Sequence, residues 1–542
     1  MNDQQARQQE LMLKGAAWMT ASNLISRLLG ALYIIPWYGW MGAHAAEANG
    51  LFTMGYNIYA WFLLVSTAGL PVAISKQIAK YNTMGQEDKS FALINRFLKL
   101  MLILGLVFAG LMYLAAPLFA SGSGVGAELT PVMQSLAWAV LIFPAMSIIR
   151  GVFQGYSNMR PYAMSQIAEQ VARVIWMLLA TFLIMQLGNK DYVSAVTQST
   201  FAAFIGMLAS MALLIFSLNQ EGLLRPILAA SGQKLEGGSQ LVLETLKEAI
   251  PFIITGSAIQ LFQIIDQMTF INVSRWFTKT SETELLVLFS YFSANPNKVS
   301  MILIAVASSV GGVGIPLLTE NYVKKDLAAA AKLVIDNLSL LLTFLIPATL
   351  GSLLMGRALY TFFYGRPEGA ALDLFVWAMS FTLLLGLYTV LAPMIQALYQ
   401  NRLAMLYFLY GLGAKLVLQI PFIWIFGSYG PLLSTGVALV LPCFLMYRTI
   451  HQVTRLNHKR LMKRVILVTL MTIIMSLVTL LAQALLSLVI GVDSRWGSLL
   501  HLMIVGAISI YVYAWMALKS NHLDRVMGGS QANRLRRLLR IS

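Results

Sequence analysis

Cysteine is almost absent from this chain of 542 residues, which has only Cys443. One cysteine excludes an intrachain disulfide and a metal cluster built on several thiolates. The five histidines have no spacing typical of metal ligands, and no nucleophile stands beside a candidate base. We therefore predict a protein that is not an enzyme and has no resident metal or other cofactor.

Charged residues are also scarce. They make up 11% of the chain, whereas about a quarter of the residues in soluble proteins are charged. Hydrophobic residues make up 58%, and they form repeated apolar runs of about 20 residues, the length of a helix that crosses a bilayer. The sequence predicts an all-α polytopic membrane protein with about 14 transmembrane helices, since the runs are too long for the strands of an outer-membrane barrel.

Acidic residues are outnumbered, with 22 Asp and Glu against 38 Lys and Arg, which gives a net charge of +16. The basic residues lie mostly in short connections between apolar runs, where they set membrane orientation, and this pattern does not favour nucleic-acid binding. An even number of spans with this bias places both termini in the cytoplasm and the protein in the cell membrane. The first apolar run begins at Gly15 without a small-residue cleavage site and is interpreted as a retained helix.

Two similar halves can be recognised in the chain. Three residues of the first half recur at an offset of about 242: Gln154, Arg160 and Arg173 correspond to Gln396, Arg402 and Lys415. An internal repeat of this kind is typical of transporters. We predict a first six-helix lobe (1–218), a cytoplasmic connection (219–248), a second six-helix lobe (249–449), a C-terminal helix pair (450–519) and a basic cytoplasmic tail (520–542).

A few charged residues lie inside the apolar runs, where charge is costly and usually functional. The basic ones are Arg27, Arg173, Lys298 and Lys415, and the clearest acidic ones are Glu169 and Asp266. Glu169 and Arg173 share one helix face and can pair. If Asp266 pairs with Lys415, then Arg27 and Lys298 remain to bind an anion. The alternatives are that each pair only fixes helix packing, or that Asp266 or Glu169 couples transport to an ion.

The eighth predicted span contains residues that break or bend helices. Pro296 lies near its polar start, and Gly311, Gly312 and Gly314 cluster near its end. Such helices expose backbone to cavities and bend in transporters, so we predict a gating role. Close helix packing through small residues is the alternative.

Two motifs carry a resemblance to a known family. The pattern R-G-x-F-Q-G-x-x-N-M-x-P-x-A-x-S-Q-x-x-E-Q-x-x-R-V runs from Arg150 to Val174, and GLPVAISKQIAKY runs from Gly69 to Tyr81. Both resemble the polysaccharide-exporter and lipid II flippase branch of the multidrug/oligosaccharidyl-lipid/polysaccharide exporter superfamily, which includes MurJ-type and related Gram-positive flippases. The resemblance implies alternating access by two lobes and a polyprenyl-pyrophosphate-linked sugar as substrate, with lipid II foremost.

The resemblance also implies roles for particular residues. Arg27 stands in the S-R-x-L-G context of the family's first helix, and Lys298 lies near a basic position of its eighth helix. These two would hold the pyrophosphate, while the lipid tail would follow a groove made with spans thirteen and fourteen. The sequence departs from the family in two places. Tyr33 stands where the family has a second basic residue on the first helix, and the second span has no basic residue.

Other functions stay open at this point. The substrate could be another polyprenyl-linked polysaccharide repeat unit, or the chain could be a drug/cation antiporter, which would need unpaired carboxylates. A membrane scaffold that binds cell-wall synthesis proteins is a third alternative. Since the sequence has no nucleotide-binding motif, transport is expected to use the membrane potential, protons or sodium. The expected partners are the lipid-linked sugar and membrane lipids.

Overall fold

A computed structural model describes residues 18–19, 21–67, 70–230, 250, 253–312, 314–527 and 529–539. Every regular element in these residues is a helix, which confirms the predicted all-α class. Most of the predicted connection 219–248 and the last three residues of the tail lie outside the described residues. By contacts the chain divides into a first unit (Met1–Arg275 and Lys279–Val287) and a second unit (Trp276–Thr278 and Leu288–Ser542).

The first unit consists of long helices joined by short turns. In chain order they are α1 (21–32), α2 (Ile34–Met41), α3 (Ala45–Thr67), α4 (Leu70–Thr83), α5 (Glu87–Gly122), α6 (Leu129–Gly155), α7 (Met159–Phe182), α8 (Tyr192–Gln220), α9 (Leu224–Ala229) and α10 (Ala258–Phe277). A π-helical turn, Leu183–Leu187, extends α7.

Helix α6 forms the centre of the first unit and packs against α3, α4, α5 and α8. Small residues allow the close approach to α4. A Cβ atom on Gly151 would lie 2.6 Å from the carbonyl oxygen of Pro71, and one on Gly155 would lie 3.0 Å from that of Ser75. The neighbours of Gly151 are backbone atoms that cannot move aside, so this position requires glycine, and Gly155 also packs tightly, against Ser75 and the side chain of Ile78.

The division by contacts differs from the boundary predicted from the internal repeat. Helix α10, the seventh predicted span, contacts the first unit, because Gln267 Nε2 donates to Ser123 Oγ at 2.9 Å and Asn57 Nδ2 donates to Gln267 Oε1 at 3.3 Å. The assignment of this helix to a second lobe by the repeat stays a prediction.

The second unit continues the all-helical pattern. Its helices are α11 (Glu282–Phe289, which begins in the first unit), α12 (Asn295–Gly312), α13 (Ile315–Val323), α14 (Leu327–Leu354), α15 (Gly356–Tyr364), α16 (Ala371–Ser380), α17 (Thr382–Ala397), α18 (Asn401–Phe426), α19 (Gly430–Thr454), α20 (His458–Ser487), α21 (Arg495–Lys519), α22 (His522–Met527) and α23 (Gly529–Leu539).

Long apolar helices mark the chain as a multi-pass membrane protein. Nine stretches of the described residues are long and apolar enough to cross a bilayer, and they cover predicted spans three to six and nine to fourteen. One stretch, Asn401–Thr454, contains both α18 and α19, which turn at Gly427. Large apolar side chains point outward, such as Leu114 (80% exposed) on α5 and Val417 (73%) on α18. In a bilayer such side chains face lipid and not water.

The eighth predicted span is irregular, as its sequence predicts. A π-helical turn, Ser290–Ala294, separates α11 from α12, and Pro296 is the second residue of α12. Helix α12 ends at Gly312, and Gly314 precedes α13. A Cβ atom on Gly314 would clash with the side-chain amide of Asn337 on α14. Close packing therefore explains Gly314, and the gating role of Pro296, Gly311, Gly312 and Gly314 stays a prediction.

The C-terminal helix pair, α20 and α21, is joined to α14 by buried polar contacts. Arg464 Nη1 donates to Asp336 Oδ1 at 2.7 Å and to Ser339 Oγ at 3.2 Å. His522 Nε2 shares a 2.8 Å hydrogen bond with Thr343 Oγ1. Burial, together with Arg464 and Arg525, lowers the pKa of His522 to about 4, so this histidine is neutral at pH 7.

Candidate anion-binding site

A buried arginine near the end of α6 forms the centre of the first unit's polar network. Arg150 is 8% exposed. Its Nε atom donates to Ser165 Oγ at 3.0 Å, and its Nη2 atom donates to Glu169 Oε2 at 2.9 Å and to Ser210 Oγ at 3.0 Å. The guanidinium also lies 5.4 Å from the centre of the Tyr162 ring. Arg150 is thus held on several sides by α7 and α8.

Glu169 is shared between two arginines. Its second oxygen, Oε1, accepts a 2.5 Å hydrogen bond from Arg173 Nη2, so the contact predicted from the spacing of Glu169 and Arg173 is present. The side chains of Arg173 and Glu169 are only 16% and 13% exposed. Two guanidinium groups and one carboxylate leave this triad, Arg150–Glu169–Arg173, with one positive charge in excess.

The glycine at position 206 lets α8 pack directly against the triad. A Cβ atom there would lie 2.5 Å from the carbonyl oxygen of Glu169 and 3.2 Å from Arg173 Cβ. The first neighbour is backbone, so any larger residue must separate α7 from α8.

We therefore expect Gly206→Ala to lower the free energy of unfolding by about 1–3 kcal/mol, the usual cost of overpacking. Gly110→Ala is the matched control, because a Cβ atom on Gly110 of α5 would have no neighbour within 4 Å among the described residues. Thermal unfolding of both variants in lipid nanodiscs checks this expectation. Equal stability of the two variants would contradict the close approach of α7 and α8.

Three tyrosines of the first two predicted spans lie beside Arg173. Its guanidinium is within electrostatic range of the phenol groups of Tyr33, Tyr56 and Tyr59. Tyr59 is 3% exposed. Among the residues that the structure describes, its hydroxyl group and Arg173 Nε have no hydrogen-bond partner. Buried polar atoms normally have one, so each of these two atoms retains an unused hydrogen-bond donor.

Helix α1 brings Arg27 to the same region. Ser22 Oγ donates to Gln166 Oε1 at 3.1 Å, and a Cβ atom on Gly30 would lie 3.3 Å from Gln170 Nε2. Along α1, Arg27 lies between these two contacts with α7. Its side chain is exposed, which leaves room for an external ligand, although it also interacts with the protein.

The second unit binds its buried cation differently. Lys415, the repeat equivalent of Arg173, is fully buried on α18. Its Nζ atom donates to the Pro431 carbonyl at 2.9 Å, to Ser434 Oγ at 2.9 Å and to Thr435 Oγ1 at 2.6 Å. At the position equivalent to Glu169 stands Gly411, whose Cα packs against the backbone of Ala438. Three neutral oxygens of α19 therefore accept hydrogen bonds from the ammonium group.

The remaining predicted residues lie on separate elements. Asp266 is buried (8% exposed) on α10 of the first unit, and Lys415 belongs to the second, so their pairing stays a prediction. Lys298 is half-buried on α12, two residues after Pro296. Both Asp266 and Lys298 interact with other parts of the protein.

Arg150 is the functional candidate that sequence reasoning missed. It is not among the basic residues that sequence reasoning places inside the apolar runs, because it lies near the end of its run. The structure corrects this, since α6 extends to Gly155 and encloses Arg150. Arg464 is likewise missing from the basic residues placed inside the apolar runs. It is 8% exposed and bound to Asp336. Arg150 is the first residue of the motif that runs from Arg150 to Val174, and this position was the only sequence signal that distinguished it.

No group of three or more His, Cys, Asp or Glu side chains in the described part of the chain could hold a metal ion. The Arg150–Glu169–Arg173 triad consists of two guanidinium groups and one carboxylate. The site is therefore suited to an anion whose oxygens accept hydrogen bonds from arginine and tyrosine.

The fold and the site define a multi-pass membrane transporter with a cationic interior. The solved structure of a lipid II flippase MurJ in an inward closed conformation covers 94% of this chain and 99% of its own, with a TM-score of 0.63 and 16% identity. The structure of an inward-facing multidrug resistance MATE family transporter of the MOP superfamily matches 82% of this chain and 98% of its own chain, with a TM-score of 0.61 and 13% identity. These likenesses establish the fold.

The sequence comparisons identify the family. The family described as "Polysaccharide biosynthesis protein" matches residues 12–322. The lipid II flippase MurJ of Bacillus subtilis (strain 168) is 30% identical over 534 residues, which are 95% of this chain and 97% of that protein. The chain belongs to this polysaccharide biosynthesis family, and the Bacillus subtilis MurJ flippase is one of its relatives.

Proposed function

We propose that the chain flips a polyprenyl-pyrophosphate-linked cell-wall precursor, lipid II, from the inner to the outer leaflet of the cytoplasmic membrane. The observation that carries this proposal is the end-to-end similarity to the Bacillus subtilis lipid II flippase, at 30% identity. The excess positive charge of the Arg150–Glu169–Arg173 triad supports it, because a pyrophosphate is an anion. Transport proceeds by alternating access, with both termini in the cytoplasm, and the chain is a transporter and not an enzyme.

The proposal includes roles for the predicted residues. Arg27 and Lys298 contact the pyrophosphate, and the guanidinium fork of Arg27 matches phosphate oxygens. The coupling of transport to Glu169 or Asp266 is a second part of this proposal. Cell-wall synthesis proteins are the expected protein partners.

An apolar groove in the second unit supports a lipid substrate. It has a volume of about 410 Å³ and lies between α14, α20 and α21, which include the two C-terminal spans. Its lining includes Pro347, Ala348, Met475, Gly506 and Ile510. A groove of this composition takes a segment of hydrocarbon chain and offers little to a hydrated sugar. The polyprenyl tail would lie here while the pyrophosphate is carried by cationic residues.

Depletion of the protein in its own cells tests the substrate. We expect lipid II to accumulate on the inner leaflet, measured by the access of an impermeant reagent before and after the membrane is opened. Accumulation of a different polyprenyl-linked oligosaccharide would instead identify a polysaccharide repeat unit as the substrate, in agreement with the description of the family. Accumulation of neither would overturn a flippase function.

A drug/cation antiporter is the second candidate, since a MATE transporter shares the fold. Such a carrier needs carboxylates free to bind a cation, whereas Glu169 is occupied by two arginines. The Arg150–Glu169–Arg173 triad therefore favours an anionic substrate over a cationic one.

The membrane potential is a sufficient driving force for an anion. With the interior negative, each uncompensated negative charge that moves outward gains about 2.3 kcal/mol per 100 mV. We expect flipping in reconstituted vesicles to slow at least severalfold when the potential is collapsed by valinomycin and potassium at constant pH. An unchanged rate would contradict this coupling and would favour a proton or sodium gradient as the driving force. Collapsing each of these two gradients separately provides the control.

A further inference from the structure

We propose that Arg173 is an additional phosphate-binding residue of the first unit, and that Arg150 is the positioning residue that keeps its charge available. The proposal rests on the proposed function and deepens it, because it names a contact for the same lipid-linked pyrophosphate. It starts from the unequal roles of the two arginines that share Glu169.

Arg150 is anchored and Arg173 is not. Arg150 directs its donors to Ser165, Glu169 and Ser210, on two neighbouring helices. Among the described residues Arg173 is bound only through Nη2, to Glu169, and its Nε atom has no hydrogen-bond partner. Arg150 therefore fixes the carboxylate, and the carboxylate orients Arg173.

The shared carboxylate leaves Arg173 with effective positive charge. If Glu169 served Arg173 alone, the pair would be neutral. Because Arg150 occupies the other oxygen at 2.9 Å, one carboxylate balances two cations, and the excess charge lies in a region with little water to screen it. The electrostatic attraction of an anion to this region is therefore stronger than its attraction to a neutral ion pair would be.

The excess charge faces the first two predicted spans, in which Arg27 is the only Lys or Arg from residue 18 to residue 67. Arg173 adds a second cation beside their tyrosines, Tyr33, Tyr56 and Tyr59. The buried Tyr59 hydroxyl, which has no hydrogen-bond partner among the described residues, can donate to a phosphate oxygen in the same way as Arg173 Nε. Arg173 and Tyr59 together supply two donors to one anion.

Binding of purified full-length protein to lipid II in phosphatidylcholine nanodiscs tests the proposal. We expect Arg173→Gln to weaken binding about 10- to 100-fold, the usual range for a lost charge-assisted hydrogen bond, and Arg173→Lys to weaken it less. Tyr59→Phe removes one oxygen atom and is expected to weaken binding about threefold. It also provides the test if Arg173→Gln does not fold.

The positioning role of Arg150 has its own readout. Arg150→Gln leaves Arg173 neutralised by Glu169, so we expect lipid II binding to weaken about tenfold, and Arg150→Lys to restore most of it. Arg464→Gln is the matched control, since Arg464 is equally buried and bound to Asp336 in the second unit. If Arg150 had only a structural role, Arg150→Gln and Arg464→Gln would bind lipid II with the same affinity.

The possible outcomes separate this proposal from the proposed function. Wild-type affinity for lipid II in Arg173→Gln, with the native fold, overturns the role of Arg173 and leaves the flippase function intact. Failure of the wild-type protein itself to bind lipid II overturns the proposed function. Phosphatidylglycerol is the second probe, and an equal loss of its binding in the same variants would overturn the assignment to the transported lipid by indicating a bulk-lipid site.

Discussion

Replacement of Arg27 with alanine is expected to reduce lipid II flipping about 10- to 100-fold in reconstituted vesicles without unfolding the protein. A charge-assisted hydrogen bond contributes about 1.5–3 kcal/mol, and each 1.36 kcal/mol corresponds to a factor of ten. Arg27 is exposed, so its removal leaves no large cavity in the protein. Arg27→Lys keeps the charge but loses the planar fork, and an intermediate rate is expected.

The control for Arg27→Ala is Arg96→Ala, which removes an exposed basic residue of α5. This variant should flip lipid II at the wild-type rate. The comparison also separates a transporter from a membrane scaffold, because a scaffold does not require a cation within the bilayer. Full flipping by folded Arg27→Ala would remove this residue from the site.

Replacement of Glu169 with glutamine is expected to have the largest effect on stability. It leaves Arg150 and Arg173 buried together without a counter-charge, and removal of one partner of a buried ion pair costs about 3–5 kcal/mol. The expected loss is at the upper end, since Glu169 serves two cations at 2.9 and 2.5 Å. Denaturant-induced unfolding in mixed micelles, followed by tryptophan fluorescence, measures it.

An exposed ion pair provides the comparison for Glu169. Glu320 and Lys324 pair at 2.5 Å on α13, but their side chains are 54% and 65% exposed. Glu320→Gln should cost less than about 1 kcal/mol because water screens both charges. If the two substitutions cost the same, the Arg150–Glu169–Arg173 triad does not carry the buried charge described above.

Sequence reasoning succeeded for this protein where the interaction was local. Glu169 and Arg173 are four residues apart, so helical periodicity alone predicted their contact, and the π-helical turn before Pro296 lies in the span that was predicted to be irregular. The partners of Arg150 could not be predicted in this way, because Glu169 and Ser210 lie 19 and 60 residues further along the chain. Spacing along one helix does not reveal such neighbours.

The amino-acid composition and the lengths of the apolar runs were sufficient to establish a multi-pass helical membrane protein, because a bilayer imposes nearly the same length and polarity on every helix that crosses it. The choice of partner for each buried charge depended on which helices pack together. Arg173 and Lys415 occupy equivalent repeat positions, yet one binds a carboxylate and the other binds neutral oxygens. Only the tertiary structure identified the partners of Lys415, since its acceptors come from α19, whose contact with α18 no local pattern encodes.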